Sequence, residues 1–389
     1  MNKGRTIFSQ LMDFLPTCEF NQCISRYQGN HRVRQFSCYD QFLCMAFAQL
    51  TYRESLRDIE TCLRSMGHKL YHAGFHTVVA RNTLAKANEN RDWRIYADLA
   101  AVLIARAREL CVGDPLKVDL EQTVYAFDST TVDLCLTLFP WARFRRSKSA
   151  IKLHTLIDLR GNIPCFIHVS NGSMSDVKAL DLLPVEAGAF YVMDRGYVDF
   201  ARLYRFTRNM AFFVTRAKRG LIFKRKSYRR VDRTTGLRSD QTIILCGHKA
   251  EQRYPVPLRR ISYYAADIDK RFVFLTNNFD LSALTIAELY KCRWQVELFF
   301  KWIKQYLRIK AFYGTSVNAV RTQVWIAVCV YVLMVIVKKE LRVERSIGEI
   351  LQILSICLFE KTPILQAFSH DFHKMENNTA GKQLHLFDI

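Results

Sequence analysis

Two short stretches decide the fold: residues 124–128 read VYAFD, and residues 190–194 read FYVMD. Each consists of four apolar residues, rich in aromatic and branched side chains, followed by an aspartate. Such a run is typical of a buried β-strand. We therefore expect Asp128 and Asp194 each to end a strand, where an acid emerges from the sheet. Either acid alone would more often be a helix cap or a surface turn, but together they form a candidate catalytic pair.

The segments around this pair extend the sheet. Further strands are predicted at residues 130–138, 151–159 and 165–169. Turn-forming residues at 161–162 and 171–172 separate them, and a helix is predicted at 176–183. Three successive strands, then strand, helix and strand, indicate an α/β fold with a mixed sheet and helices packed on it.

Two other acids are alternative members of the acidic site. Asp133 lies inside a predicted strand at an odd spacing from Asp128. Asp176 opens the predicted helix at 176–183, where helix capping explains it. We prefer Asp128 and Asp194, and leave a supporting role open for Asp176.

A third acid lies much later in the chain, in a run without Gly or Pro. The spacings are 3, 4, 4 and 3 along Tyr290, Arg293, Glu297, Lys301 and Lys304. At about 3.6 residues per turn, these side chains share one face of a single predicted helix. One carboxylate among cations suits a metal ligand flanked by phosphate-binding groups. The alternative is an exposed helix on which Glu297 pairs with Arg293 or Lys301.

The chain is strongly basic, with 57 Lys and Arg against 36 Asp and Glu and a formal net charge of +21. This charge favours a polyanionic partner, because each cation placed on a phosphate releases condensed counterions. Residues 216–238 alone hold ten Lys or Arg and one acid. They belong to a predicted β-rich insertion at about 211–276. We expect it to follow a DNA backbone through Arg216, Lys218, Arg219, Lys224, Arg225, Lys226, Arg229 and Arg230, the alternative being a solvated charged hairpin.

The pattern Y-x2-R-x3-E-x6-K, formed by Tyr290, Arg293, Glu297 and Lys304, resembles the signature of bacterial DDE transposases of the insertion sequence four family. Supporting segments match as well: DST at 128–130, KLH at 152–154, GNIP at 161–164 and DRGY at 194–197. The resemblance covers roughly residues 120–315. The segment at 8–63 also looks like a small domain often attached to such enzymes.

The resemblance implies an RNase H-like catalytic core with a β-rich insertion between the second Asp and the Glu. Roughly a hundred residues separate Asp194 from Glu297, far more than a strand-to-helix connection needs. By analogy Asp128, Asp194 and Glu297 are the catalytic residues and the ligands of two Mg²⁺ ions, for which Mn²⁺ would substitute. Hard cations of this kind prefer carboxylate oxygens.

The resemblance also implies a substrate and an activity. Tyr290, Arg293 and Lys304 would hold the phosphates of double-stranded DNA at the transposon end, with Lys301 beside them. Trp294 either contacts an unstacked base or packs in the core. The implied reaction is cleavage at the ends of an element and strand transfer into target DNA, within a homodimeric complex.

Three domains are predicted. Residues 1–115 form a helical domain that binds the DNA end (an ordinary helical packing domain is the alternative), 116–320 the catalytic domain, and 321–389 C-terminal helices and a flexible tail. The apolar run Val324–Val337 is shorter than the roughly 20 residues of a membrane span, so we predict a buried helix and no membrane partner. Twelve scattered cysteines and no recognisable secretory leader predict a bacterial cytoplasmic protein at the nucleoid.

The tail carries a further resemblance. Gln383, Leu384, Leu386 and Phe387 follow a polar stretch and resemble the Q-L-x-L-F peptide that docks bacterial replication proteins on the DNA polymerase sliding clamp. Leu and Phe anchors on a flexible segment suit a hydrophobic groove. Chance and packing of the tail on its own domain are the alternatives.

Two other functions remain open: a catalytically silent DNA-binding regulator derived from a transposase, and a nuclease that hydrolyses DNA without joining it. The three intact acids argue against the regulator. Through the resemblance, the basic insertion and the Tyr-Arg-Lys face favour synapsis and strand transfer over the simple nuclease.

Overall fold

The structure is a computed structural model that describes residues 4–76, 78–116, 118–145, 148–306 and 312–369. These residues form two compact units. The helical unit contains the described residues up to Leu103, within Tyr306–Gly314 and from Asn318 to Ser369. The sheet unit contains Ile104–Gln305 and Thr315–Val317. The C-terminal helices thus share a unit with the N-terminal helices, whereas we expected residues 321–389 to form a separate domain.

The helices of the described residues are, in chain order, α1 Ile7–Met12, α2 Thr17–Arg26, α3 Cys38–Leu50, α4 Leu56–Ser65, α5 Lys69–His72, α6 Arg81–Asn90, α7 Arg94–Cys111, α8 Phe200–Arg208, α9 His248–Arg253, α10 Ala283–Cys292, α11 Trp294–Tyr306, α12 Val317–Glu340, α13 Ile347–Cys357 and α14 Ile364–Phe368. The N-terminal region is helical as expected. Ser55 caps the start of α4, because its hydroxyl accepts a hydrogen bond from the Asp58 amide at 3.1 Å.

The strands of the described residues are β1 Val124–Leu134, β2 Arg143–Arg145, β3 Lys148–Asp158, β4 Ile163–Asn171, β5 Phe190–Met193, β6 Phe212–Arg216, β7 Phe223–Arg229, β8 Leu237–Leu245, β9 Leu258–Ala265 and β10 Lys270–Thr276. They form one sheet in the order β2-β3-β1-β5-β6-β10-β9-β8-β7, with β4 also paired to β3.

The central strands have the arrangement of an RNase H-like core. In the order β4-β3-β1-β5-β6, the first three strands are antiparallel and the last three are parallel. The predicted turn between β3 and β4 is present, with positive φ at Gly161 and Asn162, as a tight hairpin requires. The α/β fold with a mixed sheet, expected from the sequence, is confirmed.

Burial explains why the central strands form. All four side chains of β5 are buried, as are the first four of β1, which suits parallel strands covered on both faces. On one face Tyr125, Tyr191 and Phe213 pack with Leu203 and Phe206 of the amphipathic helix α8. This packing fixes the strand ends from which the acids emerge.

Two predicted elements differ from the structure. The two strands predicted on either side of Asp128 are one continuous strand, β1, because its second half pairs with β3. The strand at 212–216, assigned to the insertion, lies in the central sheet and pairs in parallel with β5.

The remaining insertion strands continue the same sheet. β10 returns antiparallel beside β6, with Phe274 opposite Arg216, and β9, β8 and β7 follow outward. A buried ion pair holds β8 to β9, since the Arg259 guanidinium donates to both carboxylate oxygens of Asp240 at 2.9 and 2.7 Å. The same guanidinium donates to the Leu281 carbonyl at 2.6 Å, just before α10 begins. The insertion therefore anchors the start of the helix pair that carries Glu297.

In the helical unit, α12 is the central buried helix. It is long and apolar enough to cross a membrane by length and composition, but 89% of its apolar window is buried inside the structure. Trp325 stacks on Trp93 with ring centroids 6.5 Å apart, and the Cys329 thiol donates to the Tyr96 carbonyl at 3.3 Å. The predicted buried helix is confirmed.

Candidate active site

The register between β1 and β5 brings two acids to one edge of the sheet. The last parallel pair is Phe127 opposite Met193, so Asp128 and Asp194 follow immediately on neighbouring strands. Asp194 lies directly after β5, as predicted. The expectation that Asp128 also ends its strand was wrong, because Ser129 and the following residues remain paired with β3. Only the pairing of β1 with β5 ends there.

The third acid approaches from α11 and is joined to Asp128 by one guanidinium. Arg293 Nη1 donates to Asp128 Oδ2 at 3.0 Å, and Arg293 Nη2 donates to Glu297 Oε1 at 2.5 Å. The exposed fraction of the side chain is 15% for Arg293, 20% for Asp128 and 34% for Glu297. The ion pair therefore lies in a partly desolvated site, where electrostatic interactions are stronger than at the surface.

A second guanidinium holds Asp194. Arg216 Nη2 and Nε donate to Asp194 Oδ1 at 2.5 and 3.1 Å, and the Tyr290 hydroxyl donates to the same oxygen at 3.2 Å. The guanidinium carbons of Arg216 and Arg293 each lie 5.8 Å from the Tyr290 ring centroid. Tyr290 thus stands between the two cations and links all three acids into one network. Arg216 was expected on a DNA backbone, and its pairing with Asp194 was missed.

The helix carrying this face is broken, contrary to the prediction of a single helix. α10 ends at Cys292 and α11 begins at Trp294, so Arg293 lies at the junction. Its amide donates to the Tyr290 carbonyl at 3.2 Å, three residues back, as in a tighter turn. Around this break, Tyr290 contacts Asp194, and Arg293 contacts Asp128 and Glu297. Farther along, Lys304 Nζ donates to the Thr131 carbonyl at 2.9 Å, and Lys301 is exposed.

The acids differ in their electrostatic environment. Burial raises the pKa of Asp128, and the negative charges of Glu297 and Asp194 raise it further, against the opposing effects of the Ser129 amide and Arg293. Burial alone would also raise the pKa of Asp194, but hydrogen bonds from Arg216 and the Arg195 amide lower it overall. Burial raises the pKa of Tyr290 to about 12, so it remains a donor at neutral pH. Of these two carboxylates, Asp128 is the one whose charged form the site disfavours, and the positive charge of Arg293 opposes this effect.

Asp176 supports Asp128 from the other side. It accepts hydrogen bonds from the Ser129 hydroxyl at 2.7 Å and from Lys152 Nζ at 3.2 Å. The Ser129 amide in turn donates to Asp128 Oδ1 at 2.8 Å. The alternative acid Asp133 is exposed on β1 opposite Ala150. The geometry therefore fits Asp176 as a neighbour that positions Asp128.

A buried histidine packs beside this cluster. His154 Nδ1 lies 3.9 Å from Asp176 Oδ1, and its Nε2 shares a 2.9 Å hydrogen bond with the Ser170 hydroxyl. Burial lowers the pKa of His154 to about 4, so the ring is neutral at pH 7. Lys152 and His154 of the KLH segment thus both lie next to Asp176, on the side of the site where Asp128 lies.

The other predicted DNA-binding residues lie on the surface of the sheet unit. Trp294 is 57% exposed, which excludes the alternative of a core tryptophan. Lys218 donates to the Val198 carbonyl at 2.8 Å, and Arg229 donates to the Phe279 carbonyl at 2.7 Å. Exposed side chains are those of Arg219, Lys224, Arg225, Lys226 and Arg230, most of them on or next to the edge strand β7. The clamp-docking residues 383–387 lie outside the described residues.

Comparisons with known proteins show the family to which the chain belongs. A domain of unknown function (DUF4372) matches residues 3–76, and the Transposase DDE domain matches residues 119–333. A putative transposase (y4zB) of Sinorhizobium fredii is 31% identical over 72% of this chain and 78% of its own length. A probable transposase for an insertion sequence element (IS5377) of Geobacillus stearothermophilus is 30% identical over 65% of this chain and 66% of its own length.

A putative transposase for another insertion sequence element (IS4SA), from Synechocystis sp., is 24% identical over 81% of this chain and 87% of its own length. The domain match covers the strands β1 and β5, the insertion and the helix pair α10–α11. Enzymes of this family use divalent metal ions and act on DNA. The chain belongs to the DDE transposases of bacterial insertion sequences and is a DNA transposase.

Proposed function

We propose that this enzyme performs Mg²⁺-dependent cut-and-paste transposition with Asp128, Asp194 and Glu297 as its catalytic acids. One observation carries the proposal: acids from β1, from the end of β5 and from α11 are tied into one network by Arg293, Tyr290 and Arg216. Segments far apart in sequence meet at this point, as phosphodiester chemistry with divalent cations requires.

The donor set fits a hard divalent cation. Carboxylate oxygens are the preferred ligands of Mg²⁺, and Mn²⁺ accepts the same set. Within the described ranges no three His, Cys, Asp or Glu side chains stand in ligating geometry, and Arg293 lies between Asp128 and Glu297. Arg293 must therefore withdraw for Asp128, Asp194 and Glu297 to hold two Mg²⁺ ions. When bound, the ions supply activation of the attacking oxygen and stabilisation of the departing one.

The chain's own residues bind and orient the DNA. Arg293 and Arg216, once released from the acids, present planar guanidiniums that suit bidentate contact with phosphate. Tyr290 donates a hydrogen bond, Lys304 and Lys301 add charge along α11, and Trp294 offers an exposed ring to an unstacked base. Water and the 3′-hydroxyl of DNA attack directly, so the protein needs no side-chain nucleophile. Asp176 holds Asp128 in place through Ser129.

Wider DNA contacts come from other segments. The exposed cations of β7 form a sheet edge suited to a DNA backbone. We assign binding of the terminal repeat to the helical N-terminal domain at 1–115, and strand transfer to a homodimer that pairs two ends. The place of action is the nucleoid in the bacterial cytoplasm.

We further propose that the tail docks on the DNA polymerase sliding clamp through Gln383, Leu384, Leu386 and Phe387. The support is the Q-L-x-L-F pattern alone. Deletion of residues 383–387 is expected to abolish pull-down of purified clamp by the full chain. Clamp binding that survives the deletion would reject the assignment.

Cleavage of the element's own DNA ends tests the main proposal. With Mg²⁺, the wild-type enzyme is expected to cut a duplex carrying the terminal repeat at the repeat boundary and to join the 3′-end to a target duplex. With Ca²⁺ it is expected to bind without cutting, and Mn²⁺ should restore cutting. Tight specific binding without cleavage in any metal would favour the silent regulator, and cleavage without joining would favour the simple nuclease.

A further inference from the structure

A cationic pocket lies in the insertion, outside the acidic site. Its volume is about 530 Å³, and seven of its fourteen lining residues are Lys or Arg. The cations that carry the argument are Arg195, Arg216, Lys218, Arg260 and Arg271. The acid among its described lining residues, Asp269, already accepts a hydrogen bond from the Tyr264 hydroxyl at 2.7 Å. The pocket thus concentrates positive charge in a space large enough for a small ligand.

Two of the lining cations, Arg260 and Arg271, are held by neutral groups. Arg260 Nη1 donates to the Gln241 side-chain carbonyl at 3.2 Å, and its guanidinium carbon lies 5.1 Å from the Phe223 ring centroid. Arg271 Nε donates to the Ser262 hydroxyl at 2.9 Å. Burial lowers the pKa of Arg260, and the like charge of Arg271 lowers it further. Because these partners are neutral, the positive charges of Arg260 and Arg271 remain available to an anion in the pocket.

The pocket adjoins the acidic site through a shared residue. Arg216 lines the pocket and also donates to Asp194 at 2.5 Å. Arg195 follows Asp194 directly in the chain and lines the pocket as well. A DNA strand whose phosphate lies at the acids would therefore pass Arg216 and Arg195 on its way into the pocket.

We propose that this pocket binds the phosphodiester backbone of the DNA strand that continues from the cleavage site toward the insertion. The proposal rests on the proposed function and deepens it, because it adds Arg260 and Arg271 to the DNA-binding residues. Guanidiniums suit phosphate oxygens geometrically, and a pocket of about 530 Å³ has room for a phosphodiester group. The aromatic lining at Phe223 and Phe272 suits the sugar and base edges between them.

The test combines a double variant with uncharged phosphates. The variant is Arg260→Gln with Arg271→Gln, and the matched control is Lys249→Gln with Arg253→Gln, two exposed cations on α9 outside the pocket. Binding is measured to terminal-repeat duplexes in which single phosphates near the cut are replaced by methylphosphonate. For the wild type and the control, one or two positions are expected to weaken binding about tenfold. For the double variant, overall binding falls and those positions no longer matter.

The outcomes separate this proposal from the catalytic one. An unchanged methylphosphonate pattern in a folded double variant overturns the pocket assignment, even if the enzyme cuts DNA normally. A changed pattern supports the pocket even if no cleavage is seen. If the double variant does not fold, the single change Arg195→Gln at the exposed rim carries the same test. If calorimetry shows that inorganic phosphate binds, and no methylphosphonate position weakens DNA binding, the pocket binds a free anion. That result would reject the proposal that it binds the DNA strand.

Discussion

Replacing Glu297 with Gln is expected to lower Mg²⁺-dependent cleavage of the transposon end by about 1000-fold. The change keeps the size of the side chain and removes the charge with which Glu297 would hold the metal. Metal stabilisation of the transition state contributes several kcal/mol, and about 4 kcal/mol corresponds to a factor of about 1000 in rate. Single-turnover cleavage and DNA binding, measured on the same duplex, are the two readouts.

DNA binding should change little, because the cations proposed to contact phosphate, Arg293, Lys301 and Lys304, are unchanged in this variant. The matched control is Glu288→Gln, which neutralises an exposed acid on α10 one helix away. It should cut at the wild-type rate. Equal cleavage by Glu297→Gln and the wild type would show that the third acid lies elsewhere.

Replacing Arg293 with Gln is expected to destabilise the protein without metal and to strengthen its response to Mg²⁺. The change leaves Asp128 and Glu297 without their shared cation in a partly buried site, which costs about 2–4 kcal/mol. For a unit of this size that corresponds to a fall in Tm of roughly 5–10 °C. Because the guanidinium between Asp128 and Glu297 no longer has to be displaced, Mg²⁺ should bind more readily and raise Tm more than in the wild type.

Thermal unfolding with and without 10 mM Mg²⁺, taken as an order-of-magnitude excess over the metal Kd, measures this effect. The control is Arg202→Gln, which breaks an exposed pair with Asp181 at 2.7 Å and should lower Tm by at most a few degrees without changing the response to Mg²⁺. An Arg293→Gln protein as stable as the wild type, with the same metal response, would refute the view that Arg293 stands in for the metal.

The pairing of Asp128 with Asp194 could be predicted from sequence, because each acid follows an apolar run that is typical of a buried strand. Two buried four-residue runs that end on Asp128 and Asp194 require only parallel pairing to bring their carboxylates together. The length of β1 could not be read in the same way. Ser129, Thr130 and Thr131 are polar, yet they remain in the strand because β3 supplies partners that the local sequence does not show.

The partners of the acids were harder to predict, since they depend on tertiary contacts. Arg216 reads as one more cation in a basic segment, and only the parallel pairing of β5 with β6 places it at Asp194. The junction at Arg293 breaks a helix whose sequence has no Gly or Pro. Arg260 and Arg271 lie on separate strands, so no local pattern marks their pocket.

The insertion begins after β6 and ends with β10, which lies directly beside β6 in the same sheet. The two ends of the insertion are therefore neighbours, whatever length of chain lies between them. The entropic penalty for lengthening such an excursion grows only slowly. Over evolutionary time, segments before β8 could be gained, lost or exchanged while Arg259 still held the start of α10. A transposase could thus gain new DNA contacts in the insertion without a change in the position of its catalytic acids.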